Sequence, residues 1–152
     1  VYQITEITIS EELSMRIFKS KETAYDPHTK KNVPFWTLDT AACCVKHFNE
    51  GTHETESTSF HTDCIQYHLS YSASKYPERL QRLVDDGNVI EYLDDLEKHV
   101  IEAIDSQVER WKKSDKEYLI AVDKGDIQKA AGLENCLVFM AREIIFDCMV
   151  YI

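Results

Sequence analysis

Along residues 88–115, NVIEYLDDLEKHVIEAIDSQVERWKKSD, apolar side chains fall at Val89, Leu93, Leu96, Val100, Ala103, Ile104 and Trp111. Gaps of three and four set one stripe on one helical face, and the opposite face carries Glu91, Asp94, Asp95, Glu97, Glu102 and Asp105. At about 1.5 Å per residue the rod is roughly 37 Å long. A second periodic run starts at Asp126, which can cap a helix. It continues through Ile127, Ala130, Leu133, Leu137, Met140 or Ala141, Ile144, Ile145, Cys148 and Tyr151. Its close, REIIFDCMVYI, is apolar nearly all round, as suits either a deeply buried helix or an oligomer seam. Lys116 to Val122 predicts a short helix or bridging turn between the two. Upstream, Tyr76-Pro77-Glu78 opens a helix bearing Leu80, Leu83 and Val84, with Gly87 as its stop.

Periodicity is weaker before residue 60. Val1 to Ser10 alternates in part and predicts a short edge strand or extended arm, and Ser10 then caps a short helix through Leu13, Ile17 and Phe18. Residues 23–38 combine Asp26-Pro27 and Lys31-Asn32 turn chemistry with Tyr25, Phe35 and Trp36. They predict an exposed hairpin or ordered loop that is either a recognition surface or a flap over the core. Asp39-Thr40 predicts the cap of a helix running through Cys43, Cys44, His47 and Phe48 to Glu50, with Gly51 as its stop. Thr52 to Ser59 is polar throughout and reads as a linker, after which Ser59 opens a helix through Phe60, Cys64, Tyr67 or His68, and Tyr71. The expected fold is mainly α. It is a helical bundle with two long antiparallel C-terminal helices and a small N-terminal extended or hairpin segment. Residues 1–58 are expected to form the N-terminal extension and 59–152 the helical module, the two making one compact domain.

The chain has a formal net charge of −10, and from Tyr76 to Asp126 there are 14 acidic and 8 basic residues. This balance opposes non-specific nucleic-acid binding and favours a partner with a basic surface. No apolar run reaches membrane-span length and the first residues lack signal-peptide character, so a cytoplasmic protein with five reduced cysteines is expected.

Candidate chemistry is sparse. Cys44 and His47 lie three apart on one predicted helix, and His61, Cys64 and His68 are spaced along the next. Two such helices could close a Cys₂His₂ zinc site from Cys44, His47, His61 and Cys64, the alternative to a protein with no cofactor and no metal. Cys and His together also raise nucleophilic catalysis, but Cys64 falls mid-helix and no glycine-rich elbow accompanies it. Carboxylates such as Asp94 and Asp95 on a regular helix ordinarily form a solvated face, and no phosphate-binding glycine loop is present. Lys112, Lys113 and Lys116 complement a helix C-terminus rather than marking a nucleic-acid site.

Over residues 75–151 the chain resembles the transposon-encoded TnpV family. The likeness rests on Tyr76, Leu80, Leu83 and Gly87 in YPERLQRLVDDGNV, then on Ala141, Glu143, Ile144, Ile145, Val150 and Tyr151 in AREIIFDCMVY. The resemblance implies a mobile-element origin and a compact helical module, and supplies no mechanism. The expectation is therefore a non-enzymatic accessory protein that binds another protein. Its docking residues would be Asp85, Asp86, Glu91, Asp94, Asp95, Glu102, Phe35 and Trp36. The partner would be a basic nucleic-acid-handling protein, either transposition machinery or a host-defence nuclease. An inhibitor filling a nucleic-acid channel, in the manner of anti-CRISPR proteins, fits that setting. A module that self-associates through the C-terminal helix as a homodimer, or a weakly DNA-binding transposon protein, is the further alternative.

Overall fold

The computed structural model describes residues 16–152. The chain divides into two compact units, Val1–Asp95 and Leu96–Ile152.

Among the described residues of the first unit, six strands precede the helices: β1 (Ile17–Lys19), β2 (Thr23–Asp26), β3 (Lys31–Pro34), β4 (Trp36–Asp39), β5 (Cys44–Asn49) and β6 (Glu54–Ser59). A four-stranded antiparallel sheet runs in the order β1-β4-β5-β6, and β2 pairs with β3 alone. Because β1 leads into β2 and β3 into β4, these four strands are one long hairpin bent in the middle. Ser20 makes the bend. Its N–H donates to the Trp36 carbonyl at 2.9 Å, while its hydroxyl donates to the Glu22 carbonyl at 2.9 Å and accepts from the Trp36 N–H at 3.0 Å. A buried side chain thus satisfies backbone groups that the interrupted ladder would leave open.

The three tight connections share one design. An Asx residue closes the strand (Asp26, Asp39, Asn49), four residues follow, and the fourth is left-handed: Lys30 at φ 57°, Cys43 at 51°, His53 at 57°. Each Asx oxygen accepts from the backbone N–H two residues on, those of His28, Ala41 and Gly51. A third-residue donor follows in each case: the Thr29 hydroxyl or the N–H of Ala42 or Thr52. Burial opposes ionisation of Asp26, but the His28 N–H, the Thr29 hydroxyl and the charge of His28 outweigh it and hold the carboxyl below its ordinary value.

The helices α1 (Asp63–Lys75), α2 (Pro77–Asp86) and the first turns of α3 (Val89–Lys112) complete this unit. Pro77 opens α2, and Gly87 ends it at φ 72°, its N–H meeting the Leu83 and Val84 carbonyls. Helix α2 lies against β1 and β4. Leu38, Val45, Ile65, Leu69, Leu80 and Leu93 are fully buried.

The second unit holds the remainder of α3, then α4 (Lys116–Asp123), α5 (Ile127–Ile145) and a π-helical turn (Phe146–Val150). Asp115 caps α4 by accepting from the Tyr118 N–H at 2.8 Å, and Asp126 caps α5 by accepting from the Lys129 N–H at 3.1 Å. Val108 packs with Leu137 and Ala141, with Ile104, Trp111 and Val138 around them. Lys112 bridges Glu134 at 3.1 Å and Glu109 at 3.2 Å, and these carboxylates raise its pKa above the usual lysine value.

Helices carry more than half of the described residues, so the mainly α expectation stands in that coarse form. Several assignments are corrected, among them the helix start expected at Ser59, which falls at Asp63 because Ser59 still pairs with Cys44 in the sheet. The helix expected from Cys43 to Glu50 is strand β5, because the Asp39 carboxylate closes a turn instead of capping a helix. The linker expected at Thr52 to Ser59 contains strand β6, in which Glu54 and Glu56 flank the β-branched Thr55 along an edge of the described sheet. The N-terminal extended segment is therefore a larger sheet than expected. The edge strand expected at Val1 to Ser10 lies outside the described residues. So does most of the short helix after it, whose last positions, Ile17 and Phe18, belong to β1.

Candidate interaction surface

The acidic residues singled out in sequence do not share one role. Asp85 is held in the fold. One of its oxygens accepts from the Lys21 N–H at 2.9 Å and from Gln81 Nε2 at 3.0 Å, and the other lies 3.9 Å from Lys21 Nζ. Gln81 Nε2 also donates to the Lys19 carbonyl at 2.7 Å, so this cluster fastens α2 to the end of β1. Asp86 is exposed beside it, on a shallow groove of about 550 Å³ whose lining mixes Lys21 and Arg82 with Glu22 and Glu78. A groove of mixed sign presents no single charge to a ligand.

Glu91, Asp94 and Asp95 differ. All three are exposed on the first turns of α3, at i, i+3 and i+4, hence on adjoining positions of one face. Among the described residues none of them has an ion-pair partner. Glu91, in the first turn, also complements the helix dipole. Glu102 belongs to the second unit and is exposed there.

Phe35 and Trp36 are half-buried. Trp36 stacks on His47 with ring centroids 4.1 Å apart, and its Nε1 lies 2.9 Å from where a Cβ on Gly87 would stand. Trp36 is thus committed to joining the sheet to the α2–α3 corner. Phe35 sits at the bend, its N–H donating to the Glu22 carbonyl and its carbonyl accepting from the Phe48 N–H.

The Cys/His set is separated by the strand that replaces its expected helix. Side chains three apart on a strand point to opposite faces, so Cys44 and His47 cannot grip one ion together. His47 faces Trp36 and lies 3.9 Å from Glu56, His61 is exposed, and Cys64 is buried with Sγ 3.4 Å from the Thr62 hydroxyl. Among the described residues no group of three His, Cys, Asp or Glu is arranged to hold a metal. Burial and the charge of Asp39 push the Cys43 thiol up, which disfavours the thiolate.

Sequence reasoning missed a buried polar network. His68 and Ser72, both fully buried on α1, meet Tyr92 of α3: His68 Nε2 lies 2.8 Å from the Tyr92 hydroxyl and 3.4 Å from Ser72 Oγ. Arg79 donates to Ser72 at 3.5 Å and covers the Tyr76 ring at 4.7 Å. Burial raises the Tyr92 pKa and the Arg79 charge opposes that shift. The only sequence signal was His68 and Ser72 at i,i+4 on the apolar side of α1. Enclosure suits this network to orienting helices rather than to meeting a substrate.

Comparison with protein-family models, curated proteins and solved structures finds no match to this chain. Among the described residues no helix is long and apolar enough to cross a membrane.

Proposed function

We propose that this chain is a non-enzymatic accessory protein of a bacterial mobile element. In this reading it acts in the cytoplasm by binding a basic, nucleic-acid-handling protein as inhibitor or regulator. The observation that carries the reading is the exposed, unpaired set Glu91, Asp94 and Asp95 on α3, in a chain of net charge −10. Such a face competes for the lysines and arginines that otherwise meet phosphate. The likeness of residues 75–151 to TnpV proteins supports the mobile-element setting, and the antiparallel pairing of the two long helices is part of the same module. Asp86 adds an exposed acid in the first unit and Glu102 is an exposed acid of the second, whereas Asp85, Phe35 and Trp36 support the scaffold.

The test is affinity capture from a bacterial lysate, followed by titration of the captured protein against Asp94→Lys/Asp95→Lys. Two reversals at a charged interface should weaken binding on the order of tenfold or more, and the wild-type affinity should fall with salt. Unchanged affinity removes the α3 face from the reading.

One observation favours a second reading. Ile127, Phe139, Met140 and Ile144 of α5 are all exposed, which suits self-association through the C-terminal helix. Sedimentation across a dilution series separates the two, since only this reading requires a concentration-dependent dimer.

A further inference from the structure

The four-stranded sheet ends at β6, and among the described residues no strand lies beyond it. Register and hydrogen bonding together fix which way its backbone groups point. Cys44 stands opposite Ser59, so Cys43 stands opposite Phe60, and the Phe60 N–H donates to the Cys43 carbonyl at 2.9 Å. Bonded and non-bonded pairs alternate along an antiparallel ladder. Thr58, Glu56 and Glu54 are therefore the residues that bond to β5 at Val45, His47 and Asn49. Thr55, Ser57 and Ser59 turn their N–H and C=O groups outward, to the open side.

Protein sheets ordinarily guard such an edge with lysine, proline, a bulge or a very short strand. Strand β6 has six residues, ETESTS, with neither lysine nor proline, and all of them but Thr58 are exposed. Its guards are Glu54 and Glu56, which project from one face beside His47 and Asn49. Carboxylates at those positions act selectively. A strand that paired with β6 would set side chains about 5 Å from each of them, where like charge is repelled and opposite charge attracted. A second copy in the two-fold pairing centred on Thr55 would place Glu54 against Glu56.

We propose that the outer edge of β6 is a docking site for an extended, lysine- or arginine-bearing segment of a partner protein. The segment adds as a fifth strand on the backbone groups of Thr55, Ser57 and Ser59 and is selected by Glu54 and Glu56. This is strand addition with a charge filter. It deepens the functional reading above in the partner's sign of charge, but its ladder does not depend on the α3 face.

The experiment titrates isotope-labelled full chain with a short peptide alternating Lys and Thr, followed by amide shifts. Controls are the same peptide with Glu for Lys and one N-methylated at alternate residues. The Lys-Thr peptide should shift Thr55, Ser57 and Ser59, and the two controls should not. Glu54→Lys/Glu56→Lys should weaken it on the order of tenfold. Ser57→Pro should abolish binding while the protein stays folded by circular dichroism, because the N–H it removes points outward. Should that variant unfold, the N-methylated peptide asks the same question of the intact protein. Asp94→Lys/Asp95→Lys should bind the peptide as wild type does even if it loses the captured partner, so the two readings fail separately. Equal binding of the Glu peptide or the N-methylated peptide, or unchanged binding by folded Ser57→Pro, would overturn the proposal. So would β6 shifts that arise from concentration alone, which would make the edge a self-pairing surface.

Discussion

Gly87 combines two constraints that rarely coincide. Its φ of 72° is one that side chains adopt at a cost, and the space a Cβ needs is filled by Trp36, whose indole is held against His47. Left-handed backbone costs an L residue about 1–2 kcal/mol, and displacing a stacked indole adds to that. Gly87→Ala should therefore lower stability by about 2–3 kcal/mol in a chemical denaturation series; a loss under about 0.5 kcal/mol would show that Trp36 gives way freely. Half of this was legible. Gly87 after Leu83 and Val84 announces a helix stop, as Pro77 announces the start and Asp126 the cap of α5, because caps act within four residues of themselves. The meeting of Gly87 with a tryptophan far away in sequence leaves no local trace. Nor does the meeting of His68 with Tyr92, whose two partners lie on different helices.

At the scale of elements, the recurring Asx turn explains both the strands that form and those the sequence concealed. Cys43, Cys44, His47 and Phe48 have the gaps of a helix turn, and Asp39 is a good cap residue, so local pattern favours helix. What decides against it is Asp39 turning its carboxylate to Ala41 and Ala42 while Cys43 goes left-handed, as at Asp26 and Asn49. Strand β6 was hidden for a different reason: with most of both its faces in water it carries no apolar stripe to read. The left-handed position is a point of strain that glycine relieves. Lys30 is exposed at φ 57°, so Lys30→Gly should stabilise the protein by a few tenths to about 1 kcal/mol, the gain in left-handed backbone less glycine's extra unfolded-state freedom. A drop in melting temperature would mean that the lysine side chain contributes to the β2–β3 hairpin. The candidate surface was legible in the opposite sense to the sheet. Carboxylates opposite the α3 stripe must face outward, so Glu91, Asp94 and Asp95 followed from periodicity, whereas the use of Asp85 as a clasp required the sheet.

At the scale of the whole molecule, burial is unequal between the two units. Leu38, Val45, Ile65, Leu69, Leu80 and Leu93 of the first are sealed from solvent, whereas in the second the sealed apolar side chains are the smaller Val100, Ala141 and Val150, and Leu137 keeps some exposure. Local opening free energy follows buried apolar contact, so amides of Val45 and Leu69 should exchange with deuterium more slowly than that of Leu137. Equal protection would mean that the chain opens as one cooperative unit. The bent hairpin has a consequence of another kind, for the order in which the molecule assembles. Zippering can begin at the turn of residues 27–30, pass from β2–β3 through the Ser20 bend into β1–β4, and add β5 and then β6 by closing two further short loops. Each step joins segments that the previous step has already brought close, so little loop entropy is lost at any stage and no strand waits for a distant mate. The described sheet, wired in this way, can be completed while the helices after it are still being synthesised, which leaves β6 the last of the described strands laid down, with no other described strand on its outer side.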